Sequence, residues 1–188
     1  MDLLGYVTER AQVDGDLVKV DSFLNHRVEP EVMRAIGEEI AGAFNGEGFD
    51  LILTAEASGI PPAMATALTC GVPFVYAKKY PTEASRGPLS CVVHSRTKGV
   101  PYLLWISPNA LAGASRVLIV DDILAHGTAA AALAELATEA ALEVTGVCVV
   151  IEKTHDHGRS VLEDLGLTVR SLVTARIADG ELHLGAGA

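Results

Sequence analysis

Apolar residues occur along this chain in short runs that alternate with segments of helical spacing. The run Val117 to Val120 consists of β-branched residues and Leu118 between polar flanks, which is typical of a strand buried on both faces of a parallel sheet. The whole pattern predicts helices over residues 30–44, 61–68, 129–141 and 159–165, and strands over 50–55, 73–78, 117–120, 144–151, 168–173 and, at the edge, 182–184. Strands that alternate with helices predict an α/β domain with a central, mainly parallel sheet flanked by helices.

Residues 80–115 have a different character, with several Pro and Gly residues and two short alternating runs over 89–94 and 102–106. So long a hairpin-like excursion from a compact domain predicts a flexible lid. The candidates for lid residues that contact a ligand are Tyr80, Arg96 and Lys98. The last residues of the chain are predicted to fray.

Two acidic residues, Asp121 and Asp122, follow the strand over 117–120, at the sheet edge where open α/β folds bind ligands. The next segment, 125–129, is a loop of mostly small residues that leads into an Ala-rich helix. Backbone N–H groups of such a loop and of the first helical turn converge on a phosphate. Carboxylates accept hydrogen bonds from vicinal hydroxyls such as those of a ribose. The residues therefore indicate a sugar-phosphate site, although a simple turn and helix cap would also account for them.

Charge and composition exclude several classes of function. The 188 residues are 49% hydrophobic, which suits one folded domain, and 14 basic against 24 acidic residues give a net charge of −10 that argues against general nucleic-acid binding. No apolar run reaches the ~18 residues of a membrane span, and the start lacks the basic residues of a signal peptide, so we expect a cytoplasmic protein. A histidine-rich tract over 155–157 is expected to be a solvated loop and not a metal site.

The stretch over 117–129 resembles the signature of the type I phosphoribosyltransferases, which consists of four apolar residues, two acidic residues, two apolar residues and a small loop. The loop reads HGTA at 126–129, which departs from the commonest Thr-Gly-Gly-Thr-like form and is similar to the xanthine branch of the family. The segments 19–26, 56–60 and 150–153 are also similar to that branch. The resemblance covers roughly residues 17–175, in matching order and spacing.

This resemblance implies purine salvage, in which a 5-phosphoribosyl group passes from phosphoribosyl pyrophosphate (PRPP) to xanthine and gives xanthosine 5′-monophosphate and pyrophosphate. It implies that the catalytic residues Asp121 and Asp122 hold the ribose hydroxyls, and that Mg²⁺ is bound through PRPP, with no metal ligand assigned among the side chains. The residues implied to bind PRPP are Ala125, His126, Gly127, Thr128, Ala129, Ser58, Gly59 and Lys79, and those implied to bind the purine are Val18, Asn25 and Lys153.

The resemblance also implies how the chain is organised. Residues 1–188 would form a single phosphoribosyltransferase domain, in which 1–28 and about 174–188 are hood elements of the purine pocket and 80–115 is the flexible lid. The expected assembly is a homodimer, and neither a nucleic acid nor a membrane is an expected partner.

Two positions bear on the choice of purine. Ala125 occupies the place where hypoxanthine-guanine enzymes of the family commonly carry an Asp that accepts a proton near purine N7. A site without that base favours xanthine, the more acidic purine. Lys153 is a donor that suits an oxo group at the six position better than an amino group. The alternatives are an adenine or a guanine/hypoxanthine phosphoribosyltransferase, or a non-catalytic regulator that binds PRPP.

Overall fold

The computed structural model describes residues 1–81, 89–94 and 100–188 of the chain. The helices are α1 (Leu3–Arg10), α2 (Pro30–Ala43), α3 (Ile60–Cys70), α4 (Thr128–Glu139) and α5 (Gly158–Glu163). The strands are β1 (Gln12–Asp14), β2 (Leu17–Lys19), β3 (Leu51–Ala55), β4 (Phe74–Pro81), β5 (Ser90–His94), β6 (Pro101–Trp105), β7 (Arg116–Leu124), β8 (Glu143–Lys153), β9 (Val169–Ala178) and β10 (Glu181–Ala186). A π-helical turn spans Asp21–Asn25, and 3₁₀ turns span Pro108–Leu111 and Thr154–Asp156. None of the helices within the described ranges is long and apolar enough to cross a membrane.

Eight of the strands form one sheet in the order β10-β9-β8-β7-β3-β4-β6-β5. The central strands from β9 to β4 are parallel, and the outer strands pair antiparallel. From β3 the chain passes through α3 to β4 on one side, whereas from β7 it passes through α4 to β8 on the other. The C-terminal ends of β3 and β7 therefore flank the switch in strand order, where open α/β sheets bind ligands. The predicted α/β class with a mainly parallel sheet is confirmed.

Helices cover both faces of the sheet, so its central strands are apolar on both sides. Along β7, Val117 and Ile119 pack in an apolar cluster with α4, whereas Leu118 and Val120 pack in a second cluster with α2 and α3. Successive residues of a strand point to opposite faces. The unbroken apolar run in β7 is thus explained by burial on both sides, and polar side chains are left for the strand ends.

Each predicted helix and strand is present, and the difference that matters most for the site concerns β7. The strand continues to Leu124, so that Asp121 and Asp122 lie inside it and not beyond its end. Strand β3 ends at Ala55, but β7 remains paired with β8 as far as Leu124 and Glu152. Pairing with β8 therefore holds the acidic residues in extended backbone.

The last residues of the chain are hydrogen-bonded, so the prediction that they fray is wrong. Strand β10 pairs with β9 as the expected edge strand. Beyond it, the Gly187 amide donates to the Leu172 carbonyl at 3.0 Å, and the Ser171 amide donates to the Ala188 carbonyl at 2.9 Å. These bonds continue the contact with β9 past the end of β10.

The excursion over 80–115 contains an antiparallel hairpin of β5 and β6, in agreement with its two alternating runs. Because β6 also pairs with β4, the hairpin extends the main sheet. Tyr80 lies in β4, and its ring packs against that of Trp105 at a centroid distance of 6.2 Å. Arg96 and Lys98 lie outside the described residues, and the closing of a lid remains a prediction.

The first 28 residues form α1, the β1–β2 hairpin and the π-helical turn, which the hydrophobic pattern did not predict. Phe23 and Leu24 of that turn are fully buried in the apolar cluster that contains α2. Their burial fixes the turn against the core. The residue that follows them, Asn25, is thereby held beside β7, where it bonds to Asp122.

Candidate active site

The C-terminal half of β7 carries two adjacent carboxylates. Asp122 is 8% exposed, and its Oδ2 accepts a hydrogen bond from Asn25 Nδ2 at 3.3 Å. The Asp122 amide in turn donates to Asp121 Oδ1 at 3.0 Å. The predicted acidic pair therefore lies at the switch in strand order, with a side chain of the π-helical turn as its neighbour.

Burial dominates the electrostatics of this pair. Burial raises the pKa of Asp121 well above the ordinary value, and the Asp122 charge raises it further, whereas Lys79 opposes the change. Burial also raises the pKa of Asp122, against the hydrogen bond from Asn25. A ligand that brings a cation or hydroxyl donors would favour the ionised forms. Adjacent carboxylates with raised pKa values are typical of functional sites.

The turn between β3 and α3 approaches β7 closely. A Cβ atom at Gly59 would lie 2.1 Å from Thr54 Oγ1 and 2.5 Å from Asp121 Oδ1, so a residue with a side chain does not fit there unless both groups move. Ser58 is half-buried next to Gly59, and the Glu56 carboxylate accepts the Lys79 amide at 2.5 Å. The ends of β3 and β4 thus bring Ser58, Gly59 and Lys79 to the edge that holds the acidic pair.

The loop between β7 and α4 lines a cavity of about 160 Å³ together with Asp121 and Tyr102. The five loop residues predicted to bind phosphate all contribute to its wall: Ala125, His126, Gly127, Thr128 and Ala129. Gly127 has a φ of +74° and precedes the first turn of α4, which receives no side-chain cap within the described residues. The free N–H groups of that turn are available to an anion. The cavity therefore combines anion-binding backbone with a carboxylate at its rim.

Tyr102 lines this cavity, although the sequence did not single it out. Its ring lies beneath Lys79, whose Nζ is 5.3 Å from the ring centroid. Burial raises the pKa of the Tyr102 hydroxyl, and the Asp121 charge adds to that effect. Tyr102 belongs to β6. The alternating pattern of this strand does not predict which of its aromatic residues faces the site, because that depends on how β6 pairs with β4.

Of the residues predicted to bind the purine, Asn25 and Lys153 lie beside the end of β7. Asn25 Oδ1 is buried and has no hydrogen-bond partner within the described ranges, so it is an acceptor available to a ligand. Lys153 ends β8 and follows Glu152, which pairs with Leu124. Val18 lies in β2 and is buried in the apolar cluster that holds the π-helical turn. Contact between Val18 and a purine remains a prediction.

The turn that follows β8 packs against the loop before α4. His126 Nδ1 lies 3.3 Å from the Asp156 carbonyl oxygen, and because a carbonyl only accepts, the imidazole is the donor. A Cβ atom at Gly127 would be 2.8 Å from the Gly158 carbonyl oxygen, so the two backbones are in close contact. The Asp156 side chain is 14% exposed and pairs with Lys153. The prediction of a solvated loop is therefore wrong for Asp156.

Comparison with known proteins identifies the family of the chain. Residues 19–171 match the family model of the phosphoribosyl transferase domain. Xanthine phosphoribosyltransferases of Chloroflexus aurantiacus and Bacillus licheniformis are each 43% identical to the chain, over 175 and 174 residues that cover 93% and 92% of it and 83% and 89% of those proteins. The crystal structure of an adenine phosphoribosyltransferase from Thermoanaerobacter pseudethanolicus matches with a TM-score of 0.73 at 26% identity, over 91% of this chain and 99% of that one.

A mainly parallel sheet with an acidic pair and a small loop at its switch point is typical of α/β proteins that bind phosphorylated ligands there. This chain belongs to the phosphoribosyl transferase family, and its fold is that of the type I members. The family resemblance of the stretch over 117–129 is confirmed. A fold shared with an adenine enzyme does not identify the purine, which has to be argued from the side chains of the site.

Proposed function

We propose that this protein transfers the 5-phosphoribosyl group of PRPP to xanthine, giving xanthosine 5′-monophosphate and pyrophosphate, as a step of purine salvage. The observation that carries the proposal is one cavity at the switch point, where Asp121 meets the small loop and the uncapped start of α4. The relatives that are 43% identical over nine-tenths of the chain bear the name xanthine phosphoribosyltransferase, which supports this choice of purine.

The reaction forms a bond between a purine nitrogen and the anomeric carbon as the bond from that carbon to pyrophosphate breaks. Positive charge develops on the ribose ring, so catalysis depends on positioning and on stabilising the leaving group. Asp121 and Asp122 would accept hydrogen bonds from the vicinal ribose hydroxyls. Their fixed place in β7 orients the sugar relative to both reaction partners.

The 5′-phosphate and the pyrophosphate of PRPP would bind at different places along this edge of the sheet. The loop over 125–129 and the first turn of α4 would hold the 5′-phosphate through backbone N–H groups. Ser58 and Gly59, at the end of β3, would hold the pyrophosphate, and Lys79 would supply positive charge next to it. Lys79 already lies close enough to Asp121 for its charge to oppose the rise in the pKa of that carboxyl.

The donor set fits a divalent cation that arrives with the substrate. Within the described part of the chain there is no group of three or more His, Cys, Asp or Glu side chains that could hold a metal ion. Asp121 and Asp122 supply only carboxylate oxygens, the kind of ligand that suits Mg²⁺, which usually binds through one or two carboxylates and substrate phosphates. When bound through PRPP, Mg²⁺ would neutralise charge on the departing pyrophosphate. The acidic pair would be the protein's contribution beside it.

Recognition of xanthine would rest on groups at the ends of β8 and of the π-helical turn. Lys153 would donate to the oxo group at the six position, where the amino group of adenine offers no comparable acceptor. The free acceptor Asn25 Oδ1 suits an N–H of the oxopurine. With Ala125 in the loop there is no carboxylate to take the purine proton, and this favours the more acidic xanthine. Val18 would pack near the purine.

Release of pyrophosphate from PRPP tests the proposal when xanthine, guanine, hypoxanthine and adenine are compared separately with Mg²⁺ present. We expect the highest kcat/KM with xanthine and loss of turnover when the cation is chelated. A higher rate with adenine or with guanine would contradict the choice of purine. Binding of PRPP without turnover of any base would favour the non-catalytic regulator instead.

The function also includes an expected assembly, a homodimer. Met64 and Leu68 of α3 are 49% and 74% exposed and line an apolar groove of about 540 Å³ against α2. Exposed apolar surface of this kind is typical of an interface between proteins. Sedimentation equilibrium should give the mass of two chains, and a single-chain mass at micromolar concentration would contradict the dimer.

The contact between the two glycine-containing turns leads to a prediction about PRPP binding. A Cβ atom at Gly158 would lie 2.8 Å from Gly127 N and 2.9 Å from Leu124 Cδ1, so the Gly158→Ala variant has to displace the loop before α4. Overpacking of this kind costs about 1–3 kcal/mol. We expect KM for PRPP to rise about 10-fold, equivalent to ~1.4 kcal/mol.

Steady-state kinetics with each substrate varied in turn measure this effect. Gly42→Ala is the matched control, because an added Cβ at Gly42 in α2 meets no atom within 4 Å. The control should keep both KM values. If Gly158→Ala also keeps the KM for PRPP, the turn after β8 does not support the loop.

A further inference from the structure

Asp156 contacts residues from both halves of the candidate site. Its carboxylate Oδ2 lies 2.6 Å from Lys153 Nζ, and its backbone carbonyl accepts a hydrogen bond from His126 Nδ1 at 3.3 Å. Lys153 is assigned to the purine, and His126 belongs to the loop assigned to the 5′-phosphate. One residue of the turn after β8 therefore connects the two subsites.

The pair between Lys153 and Asp156 is shielded from solvent, unlike most ion pairs among the described residues. The two side chains are 11% and 14% exposed, whereas those of Arg34 and Glu38 are 62% and 55% exposed. Exposed pairs contribute little because water and salt screen them and the side chains are free to separate. A shielded pair at 2.6 Å instead fixes the ammonium group of Lys153 at one place.

The position of the Asp156 carboxylate is itself set by the backbone around it. His157, the next residue, has a φ of +58°, and Gly158 then packs against Gly127. On the other side of the carboxylate, His155 Nε2 lies 3.6 Å from Oδ1. The turn therefore packs against the loop before α4, and the position of the Asp156 carboxylate depends on the position of that loop.

We propose that Asp156 is a positioning residue that aims the Lys153 ammonium at the oxo group of the purine and keeps the purine subsite in register with the 5′-phosphate loop. The inference rests on the proposed function, since it acts through the purine role of Lys153. An ammonium group carries several N–H donors, and those that point away from the Asp156 carboxylate remain for the purine. A carboxylate fixed behind the lysine orients those remaining donors.

The Asp156→Asn variant tests the proposal, because it removes the charge and keeps both the side-chain shape and the backbone carbonyl that His126 contacts. Loss of the ion pair leaves the Lys153 ammonium group free to move away from the purine, and this is expected to raise KM for xanthine about 10-fold. The KM for PRPP should stay within about twofold, since the contact to the loop is through backbone. Asp164→Asn is the control, since Asp164 is an exposed carboxylate that directly follows α5. Its kinetics should match the unaltered protein.

A double-mutant comparison separates positioning from a general effect on folding. If Asp156 acts through Lys153, adding Asp156→Asn to Lys153→Met should cause no further loss of xanthine turnover, whereas independent effects would multiply. A thermal melt of each variant shows whether it is folded under the assay conditions.

Three results would overturn the inference: an unchanged KM for xanthine in Asp156→Asn, a lowered KM that reveals a lysine held away from the purine, or a PRPP effect as large as the xanthine effect. Absence of xanthine turnover in the unaltered protein would instead contradict the proposed function. The two failures are therefore distinguishable in one set of assays.

Discussion

Replacing Asp121 by Asn is expected to lower kcat/KM for PRPP by about 100-fold, equivalent to ~2.7 kcal/mol, and at the same time to make the folded protein more stable at neutral pH. The Asn side chain keeps an oxygen for the Asp122 amide, which now donates to Asp121 Oδ1 at 3.0 Å. It loses the negative charge that, under the proposed function, would accept a ribose hydroxyl and face a substrate-bound cation. Hydrogen bonds to charged groups contribute about 1.5–3 kcal/mol.

The stability change follows from the raised pKa of Asp121, which burial causes and the Asp122 charge increases. The folded state holds this proton more tightly than the unfolded state does, so stability is greatest below the ordinary pKa of Asp, about 4, and falls as pH rises towards the folded value. The Asn variant has no such loss. Its advantage should therefore be absent near pH 3 to 4 and grow towards neutral pH.

Calorimetric melts between about pH 4 and pH 8 measure the higher stability of the Asn variant. In a chain of this size each kcal/mol corresponds to about 2–4 °C of Tm. Asp164→Asn, at an exposed position, should show no such pH dependence. Undiminished turnover in Asp121→Asn would contradict the ribose role. If the Tm of Asp121→Asn were below that of the unaltered protein at neutral pH, the ionised Asp121 carboxylate would already be stabilised by its neighbours.

Lys153→Met is expected to lower kcat/KM for xanthine by about 100-fold, since a hydrogen bond from a charged donor to the substrate is lost and the Asp156 carboxylate is left beside the purine. Adenine has no oxo group at the six position, so its slow turnover should be unchanged or raised. Selectivity for xanthine over adenine should therefore fall by the same factor. The side chains of the pair are 11% and 14% exposed, so removing one partner should also lower Tm.

Lys153→Arg serves as the conservative control, because it retains the charge and a donor for Asp156. Part of the xanthine activity should return with it, whereas the Tm should return almost fully. Equal losses with xanthine and adenine in Lys153→Met would indicate a general disturbance of the site and not recognition of the oxo group.

Much of the parallel core could be predicted because its strands are buried on both faces and so appear as unbroken apolar runs. Val117 to Val120 is the clearest case, and the small loop with its acidic neighbours follows directly from the same stretch. The continuation of β7 to Leu124 could not be predicted, since it depends on pairing with β8 and not on the apolar pattern.

The site residues that the sequence missed are those placed by tertiary contacts. Tyr102 reaches the cavity only because β6 pairs with β4, and Asp156 contacts His126 only because its turn packs on the loop before α4. For Asp156 a signal existed in the spacing, since a Lys and an Asp three residues apart can meet in a helical turn. Composition alone predicted a solvated tract over 155–157. The prediction fails for Asp156 because Gly127 packs closely on Gly158 and brings the turn against the loop before α4.

An internal competition between purines tests the central claim most directly. One reaction mixture contains equal concentrations of xanthine, guanine, hypoxanthine and adenine, with Mg²⁺ and limiting PRPP. The product nucleotides are separated, and their relative amounts are measured by mass spectrometry. The ratio of products reports the ratio of kcat/KM values for the competing bases. We expect xanthosine 5′-monophosphate to be the main product. A mixture dominated by adenosine or guanosine 5′-monophosphate would contradict the assignment of Lys153, Asn25 and Ala125 to xanthine.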